Sequence, residues 1–198
     1  RPVIVFAHGA GGGPTSDWMQ AWKGRLSAVG DVVMLQYPHI GKAERLVGFH
    51  TEQVVAAAES HPGQPVVLAG KSFGSRVGLH VAAESGLDVA ALVCFGYPLK
   101  GGNGTLRDGV LLELGKHRPP VPTFFAAGER DKMCPVEQLA AVAKSAKLVH
   151  TLHAVAGGNH SLVATKTGLK AGGFESQDEA DGALMGAIAG FLDGHLRE

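Results

Sequence analysis

Along the chain, short apolar runs alternate with longer stretches in which apolar positions recur every three or four residues. Six runs, at residues 3–7, 32–36, 66–69, 89–95, 123–127 and 147–155, are rich in β-branched or aromatic residues. Continuous apolar runs of this kind, bounded by glycine and proline, predict strands buried on both faces. Helical spacing fills the intervals. It covers residues 17–29, where Ser16 is the cap and Asp17 lies in the first turn, then 43–60, 77–84, 136–146 and 179–195. Six strands interleaved with helices predict a three-layer α/β fold, a mostly parallel sheet covered on both sides. Two stretches break the rhythm. Residues 99–122 read as irregular with one or two helical turns at 106–114, and residues 161–178, polar and glycine-bearing, read as a mobile loop. Neither a linker nor an internal repeat divides the 198 residues, so a single domain over 1–198 is expected.

In open parallel sheets ligands bind beyond the carboxyl ends of the strands, so the strand-exit loops are the place to look for chemistry. The third strand runs into Gly70-Lys71-Ser72-Phe73-Gly74 and then into helix. Strand, G-x-S-x-G, helix is the context of a nucleophile elbow, a sharp turn that lifts a serine hydroxyl above the sheet. A Cβ at either glycine would collide where strand and helix run closest. With 29 glycines in the chain the pattern alone is weak, and an ordinary βα turn with an exposed serine fits it equally well.

The other exits carry the weight. A serine hydroxyl needs an adjacent base, and the base an orienting acid. Asp131 follows the fifth strand and His160 the sixth, giving the order Ser72, Asp131, His160. Glu129 is the alternative acid, although the strand-end turn Gly128-Glu129-Arg130-Asp131 favours Asp131. His150 and His153 lie within the sixth strand and read as structural; Cys134 has no evident histidine partner and reads as a bystander. An oxyanion needs two preorganised donors. The N–H of Phe73 is one, and the loop His8-Gly9-Ala10-Gly11-Gly12 after the first strand offers the other, with Ala10 the donor and His8 a hydrogen-bonding support. A phosphate-cradling role for that loop is disfavoured, since it lacks the Gly-Lys-Ser/Thr ending of a P-loop. Gly9, Gly11, His39 and Met133 are the expected lining of the substrate cleft, although an exposed place on its loop fits His39 at least as well. Arg76 on the elbow helix either ties a neighbouring loop by a salt bridge or reads a substrate. No metal-ligand spacing is present, and no cofactor is expected.

Charge and composition narrow the partners. Lys+Arg and Asp+Glu balance at 18 each, without a basic stripe, which argues against nucleic acid. No apolar run approaches a membrane span. Two cysteines are too few for a disulfide framework, so the cytoplasm is the expected location, with the nucleus left open. Arg1-Pro2 lead directly into the first strand, and a longer chain with a targeting segment is left open as well.

Taken together, HGAGG at 8–12, GKSFGSR at 70–76, Tyr97-Pro98-Leu99, Leu106-Arg107-Asp108, Asp131-Lys132-Met133-Cys134 and Asn159-His160-Ser161 resemble the α/β-hydrolase superfamily. The order Ser…Asp…His is that of these hydrolases. The chain looks like such a fold begun at the strand before the oxyanion loop, without the first two strands of the eight-stranded form. More narrowly it resembles the group that contains testis-expressed protein 30 and the hydrolase-like domain of the NSL chromatin complex subunit 3. The resemblance implies Ser72, Asp131 and His160 as triad positions and names no substrate. The expected function is a serine hydrolase acting on a small ester or acyl compound, with an acyltransferase or thioesterase as a variant. A serine at the elbow argues against dehalogenase or epoxide-hydrolase chemistry, which use a carboxylate nucleophile. The alternative is a catalytically silent interaction module with a protein partner, as in a chromatin complex. The 99–122 stretch is too short for a cap domain, so an open, shallow cleft is expected.

Overall fold

The computed structural model describes residues 1–196. In chain order its elements are β1 (Val3–Ala7), α1 (Asp17–Leu26), β2 (Asp31–Leu35), a 3-10 turn (Ala43–Leu46) that leads into α2 (Val47–Ser60), β3 (Val66–Lys71), α3 (Phe73–Glu84), β4 (Ala91–Phe95), α4 (Gly109–Leu114), β5 (Thr123–Gly128), α5 (Val136–Ser145), β6 (His150–Val155), α6 (Lys166–Ala171) and α7 (Gln177–Leu196). The strands lie in the order β2-β1-β3-β4-β5-β6, and the sheet, expected to be mostly parallel, is parallel throughout.

Alternation along each strand divides the apolar side chains between two layers. Val3, Val5 and Ala7 face one side, where Val54 of α2, Leu79 of α3, Leu111 of α4 and Leu139 of α5 close a first core. Ile4 and Phe6 face the other, where Trp22 and Leu26 of α1 and Leu184 and Ile188 of α7 close a second. Trp22 is fully buried, with its ring 4.7 Å from that of Phe95. Burying a side chain of this size contributes about 2 to 3 kcal/mol, and the two layers contain many. This double burial is why the central strands read as unbroken apolar runs.

The order of strands reverses between β1 and β3: the chain steps outward from β1 to β2, then crosses back to β3 and proceeds the other way. Ligand crevices form at such a switch point, because the exit loops diverge there. The register brings the two exits level, with Ala7 opposite Gly70. The loops that begin at His8 and Ser72 therefore start side by side.

Three stretches differ from the sequence reading. α3 starts at Phe73, directly after the elbow serine and ahead of the 77–84 read from the sequence; the buried Gly74 and Ser75 give no amphipathic signal there. Residues 161–178, read as a mobile loop, hold α6 instead; Thr165 caps it by accepting from the Gly168 N–H at 3.0 Å. Within 99–122, α4 buries Leu111 and Leu114 in the first core against α3 and α5, so this stretch belongs to the helical layer.

Candidate active site

Ser72 sits at φ 48°, ψ −110°, a backbone region a residue with a Cβ seldom enters. The surroundings hold it there. Its N–H donates to the Phe95 carbonyl of β4 at 2.8 Å, and its own carbonyl accepts from the N–H groups of Ser75 and Arg76 at 3.0 and 3.2 Å. The Ser75 hydroxyl also donates to that carbonyl at 2.6 Å. The two glycines of the elbow serve the close approach in different ways. A Cβ on Gly70 would strike the Gly74–Ser75 backbone, as expected where strand and helix run closest; one on Gly74 would strike the carbonyls of Ala7 and His8. The second glycine therefore fits α3 against β1, not against its own strand.

Asp131, on the turn after β5, is buried to the extent that 1% of its side chain is exposed. Its N–H bonds back to the Gly128 carbonyl at 3.0 Å, and its Oδ1 accepts from the Met133 N–H at 2.8 Å. The remaining oxygen, Oδ2, accepts from His160 Nδ1–H at 2.6 Å. His160 Nε2 in turn accepts from the Ser72 hydroxyl at 2.8 Å. The carboxylate thus fixes the tautomer that leaves Nε2 free to take a proton from the serine. The His160 loop is itself tied down. Asn159 Oδ1 accepts from the N–H groups of Ser161 and Val163 at 2.9 and 3.1 Å, and Arg130 N–H donates to the Gly158 carbonyl at 2.8 Å. Glu129 takes the Gly157 N–H at 3.0 Å, so it holds this loop and leaves the imidazole to Asp131.

On the other side of Ser72, buried His8 donates from Nδ1 to the Gly9 carbonyl at 2.8 Å and accepts at Nε2 from the Tyr37 N–H at 3.1 Å. A planar trans peptide directs its C=O and N–H to opposite sides, so gripping the Gly9 carbonyl turns the Ala10 N–H outward. Phe73 is the first residue of α3, where helix N–H groups have no partner within the helix. Among the described residues neither the Ala10 nor the Phe73 N–H meets an acceptor. A Cβ built on Gly9 would lie 3.6 Å from that of Ser72, so the glycine loop passes beside the serine.

Ser72, His160 and Asp131 come together, with Phe73, Gly9 and Ala10 beside them. Met133 reaches the group through its N–H, while its side chain is exposed. His39 and Gly11 are exposed on their loops. Ser72 is only half-buried, and 29% of the His160 side chain is accessible, so the cleft is open.

Lys71 is a neighbour that the sequence reading left without a role. Its ammonium donates to the Ser161 hydroxyl at 2.9 Å and lies 4.7 Å from the centre of the Trp18 ring, whose N–H donates to the Ser161 carbonyl at 2.9 Å. Desolvation lowers the Lys71 pKa. The residues before Ser72 and after His160 are thereby clamped together. Only the position of Lys71 next to the serine could have signalled this, since its partner is distant in sequence. Cys134 is buried, and burial first, with Asp131 adding, pushes its thiol up to about 12, which makes it inert. His153 stacks on Phe124. Among the described residues no His, Cys, Asp and Glu side chains gather as a metal site, and no helix is long and apolar enough to cross a membrane.

A family model described as "Alpha/beta hydrolase domain" matches residues 1–187. Three solved structures share the architecture. A protein of the alpha/beta superfamily from Xanthomonas campestris pv. campestris is 20% identical over 98% of this chain and 99% of its own, with a TM-score of 0.67. Est1E from Butyrivibrio proteoclasticus, with ferulic acid bound, is 17% identical over 100% of this chain and 90% of its own, at 0.66. A cold-adapted esterase from an Arctic intertidal metagenomic library is 15% identical over 99% and 83%, at 0.68. At these identities the likeness is one of fold.

Proposed function

The chain belongs to the alpha/beta hydrolase family, and on that premise we propose that it is a serine hydrolase that cleaves small esters or related acyl compounds. One observation carries this reading: the unbroken hydrogen-bond chain from the Ser72 hydroxyl through His160 to Asp131, at 2.8 and 2.6 Å. His160 takes the serine proton as Ser72 attacks the acyl carbonyl. The N–H groups of Phe73 and Ala10 receive the oxyanion, whose charge grows as the tetrahedral intermediate forms. His160 then passes the proton to the leaving group, and a water repeats the sequence on the acyl-enzyme. Asp131 keeps the imidazole in the correct tautomer and stabilises its charged form. This mechanism calls on no cofactor. Within the family we assign the chain to the group of testis-expressed protein 30 and the NSL complex subunit 3 domain, on the motifs at 70–76, 106–108 and 131–134. The half-buried serine suits small or extended acyl groups. Est1E with its bound ferulic acid and the Arctic esterase are neighbours in fold that are consistent with such substrates.

The test is turnover of a panel of short-chain p-nitrophenyl esters and acyl thioesters by the wild type and Ser72→Ala. Ester hydrolysis is expected, falling by at least about 10³-fold in the variant. Hydrolysis that survives the substitution would reject Ser72 as nucleophile.

A further inference from the structure

Two arginines that take no part in the mechanism lie at the elbow helix. Arg76 closes the GKSFGSR segment and Arg107 sits in Leu106-Arg107-Asp108, and the fold brings these distant residues to one place. Both line a cavity of about 540 Å³ whose walls include Tyr97 and Thr105, and both line an adjoining one of about 650 Å³. The second is bounded otherwise by Gly41, Lys42, Glu44 and Arg45, so four cationic side chains face it and one carboxylate.

That carboxylate is already shared. Glu44 lies 3.6 Å from the Arg76 guanidinium and 3.8 Å from His80. The other carboxylates of the inner cavity are engaged as well, Glu84 with His80 at 2.6 Å and Glu113 with Lys116 at 2.6 Å. Arg107 makes no ion pair among the described residues; its guanidinium donates only to the Pro98 carbonyl, at 3.3 Å. Its backbone is fixed, because its N–H donates to the Leu99 carbonyl at 2.7 Å and its carbonyl accepts from the Tyr97 hydroxyl. Burial first, and the charge of Arg76 next, lower the Arg107 pKa, with Glu44 opposing them only weakly, as expected of two guanidinium groups that face one space and share a single carboxylate. Two planar forks around a cavity match the oxygens of a carboxylate or phosphate. Because α3 starts directly after Ser72, Arg76 lies about 6 Å along the helix axis from the serine, within reach of one substrate.

We propose that Arg76 and Arg107 form an anion-binding subsite of the same cleft, which takes the carboxylate or phosphate of an acidic ester whose reacting carbonyl lies at Ser72. The inference rests on the serine-hydrolase reading for the second half of that sentence and on the arginines alone for the first. The experiment separates them. Ser72→Ala protein, which cannot turn over, is titrated at low ionic strength with glutarate and with inorganic phosphate by calorimetry. Saturable binding of at least one is expected, weakened about tenfold or more when Arg76→Gln or Arg107→Gln is added and unchanged by Lys170→Gln, an exposed control of equal charge change. Arg107→Lys, which keeps the charge and loses the fork, weakens it less. The better-bound anion names the substrate's acidic group. In the wild type that anion slows labelling of Ser72 by a fluorophosphonate, and in Arg107→Gln it does not. Absent binding, binding indifferent to both arginines in folded variants, or binding that leaves labelling untouched overturns the proposal. Arginine-dependent binding in a protein whose Ser72 takes no probe at all supports the anion site and removes the hydrolase reading.

Discussion

Two groups of loops leave the same end of the sheet and differ in what they carry. Those after β3, β5 and β6 are bound to their neighbours through backbone: Ser72 to Phe95, Asp131 to Gly128 and Arg130 to Gly158, each through its N–H. Those after β2 and β4 have backbone ties as well, from the Tyr37 N–H to His8 at 3.1 Å and from the Lys100 N–H to the Met133 carbonyl at 2.8 Å. They add a set of charged side chains, Lys42, Glu44, Arg45 and Arg107, with one ion pair to Arg76 at 3.6 Å. The first group keeps three side chains within tenths of an ångström of a proton-transfer geometry, which backbone contacts can do and long flexible side chains cannot. The second offers charge that is easily exchanged. On the proposed reading, chemistry falls to the first group and recognition of an acidic substrate to the second together with Arg76 of α3, so changes to the second group need not disturb the first.

The comparison breaks first at Gly74. A methyl there presses on the carbonyls of Ala7, at the end of the central strand β1, and of His8 just beyond it, both backbone groups with little room to yield. Gly74→Ala is expected to lose about 3 kcal/mol in chemical denaturation, and stability within about 0.5 kcal/mol of wild type would show that the elbow is not clamped as described.

A pH-dependent effect, which reaches that size only at the acid end, tests the support beneath the other side. Tyr37, whose N–H meets His8, shares a 3.0 Å hydrogen bond between its hydroxyl and Nδ1 of the fully buried His50. Desolvation pushes the His50 pKa down to about 4 from the usual 6.5. Between those values the unfolded chain binds a proton that the folded protein refuses. Stability is therefore full above pH 6.5 and falls as the pH drops toward 4, by up to about 3 kcal/mol from this residue. His50→Gln should flatten that part of the stability–pH curve, whatever it does to stability at pH 7. An unchanged slope would mean that His50 is not held neutral.

Much of this was legible in the sequence, and for a physical reason. The inner strands β1, β3, β4 and β5 are buried and leave unbroken apolar runs. The edge strands β2 and β6 are only half-buried, yet their β-branched and apolar residues let all six be read to within a few residues. That Ser72, Asp131 and His160 would meet was legible because each follows a different strand. The short α6 was not, since its stability lies in the Thr165 cap and in a packed Gly168 whose Cβ would strike the Ala156 carbonyl, neither of which leaves a periodic trace. The choice between Asp131 and Glu129 rested on turn shape; in the structure Asp131 is the carboxylate bonded to His160, while Glu129 faces Gly157. Arg76 was read as either a loop tie or a substrate reader; the structure gives it the tie to Glu44, and the pairing with Arg107 needed the fold. His39 and Gly11 were expected at the cleft on loop position alone, and both are exposed.

The central claim is that Ser72 is an activated nucleophile, and covalent capture tests it without assuming a substrate. Wild type and Ser72→Ala would be incubated with a fluorophosphonate and the adduct located by peptide mass spectrometry. The account predicts one adduct per chain on Ser72, absent from the variant. A folded wild-type protein that takes no probe, or takes it at another residue, would contradict it.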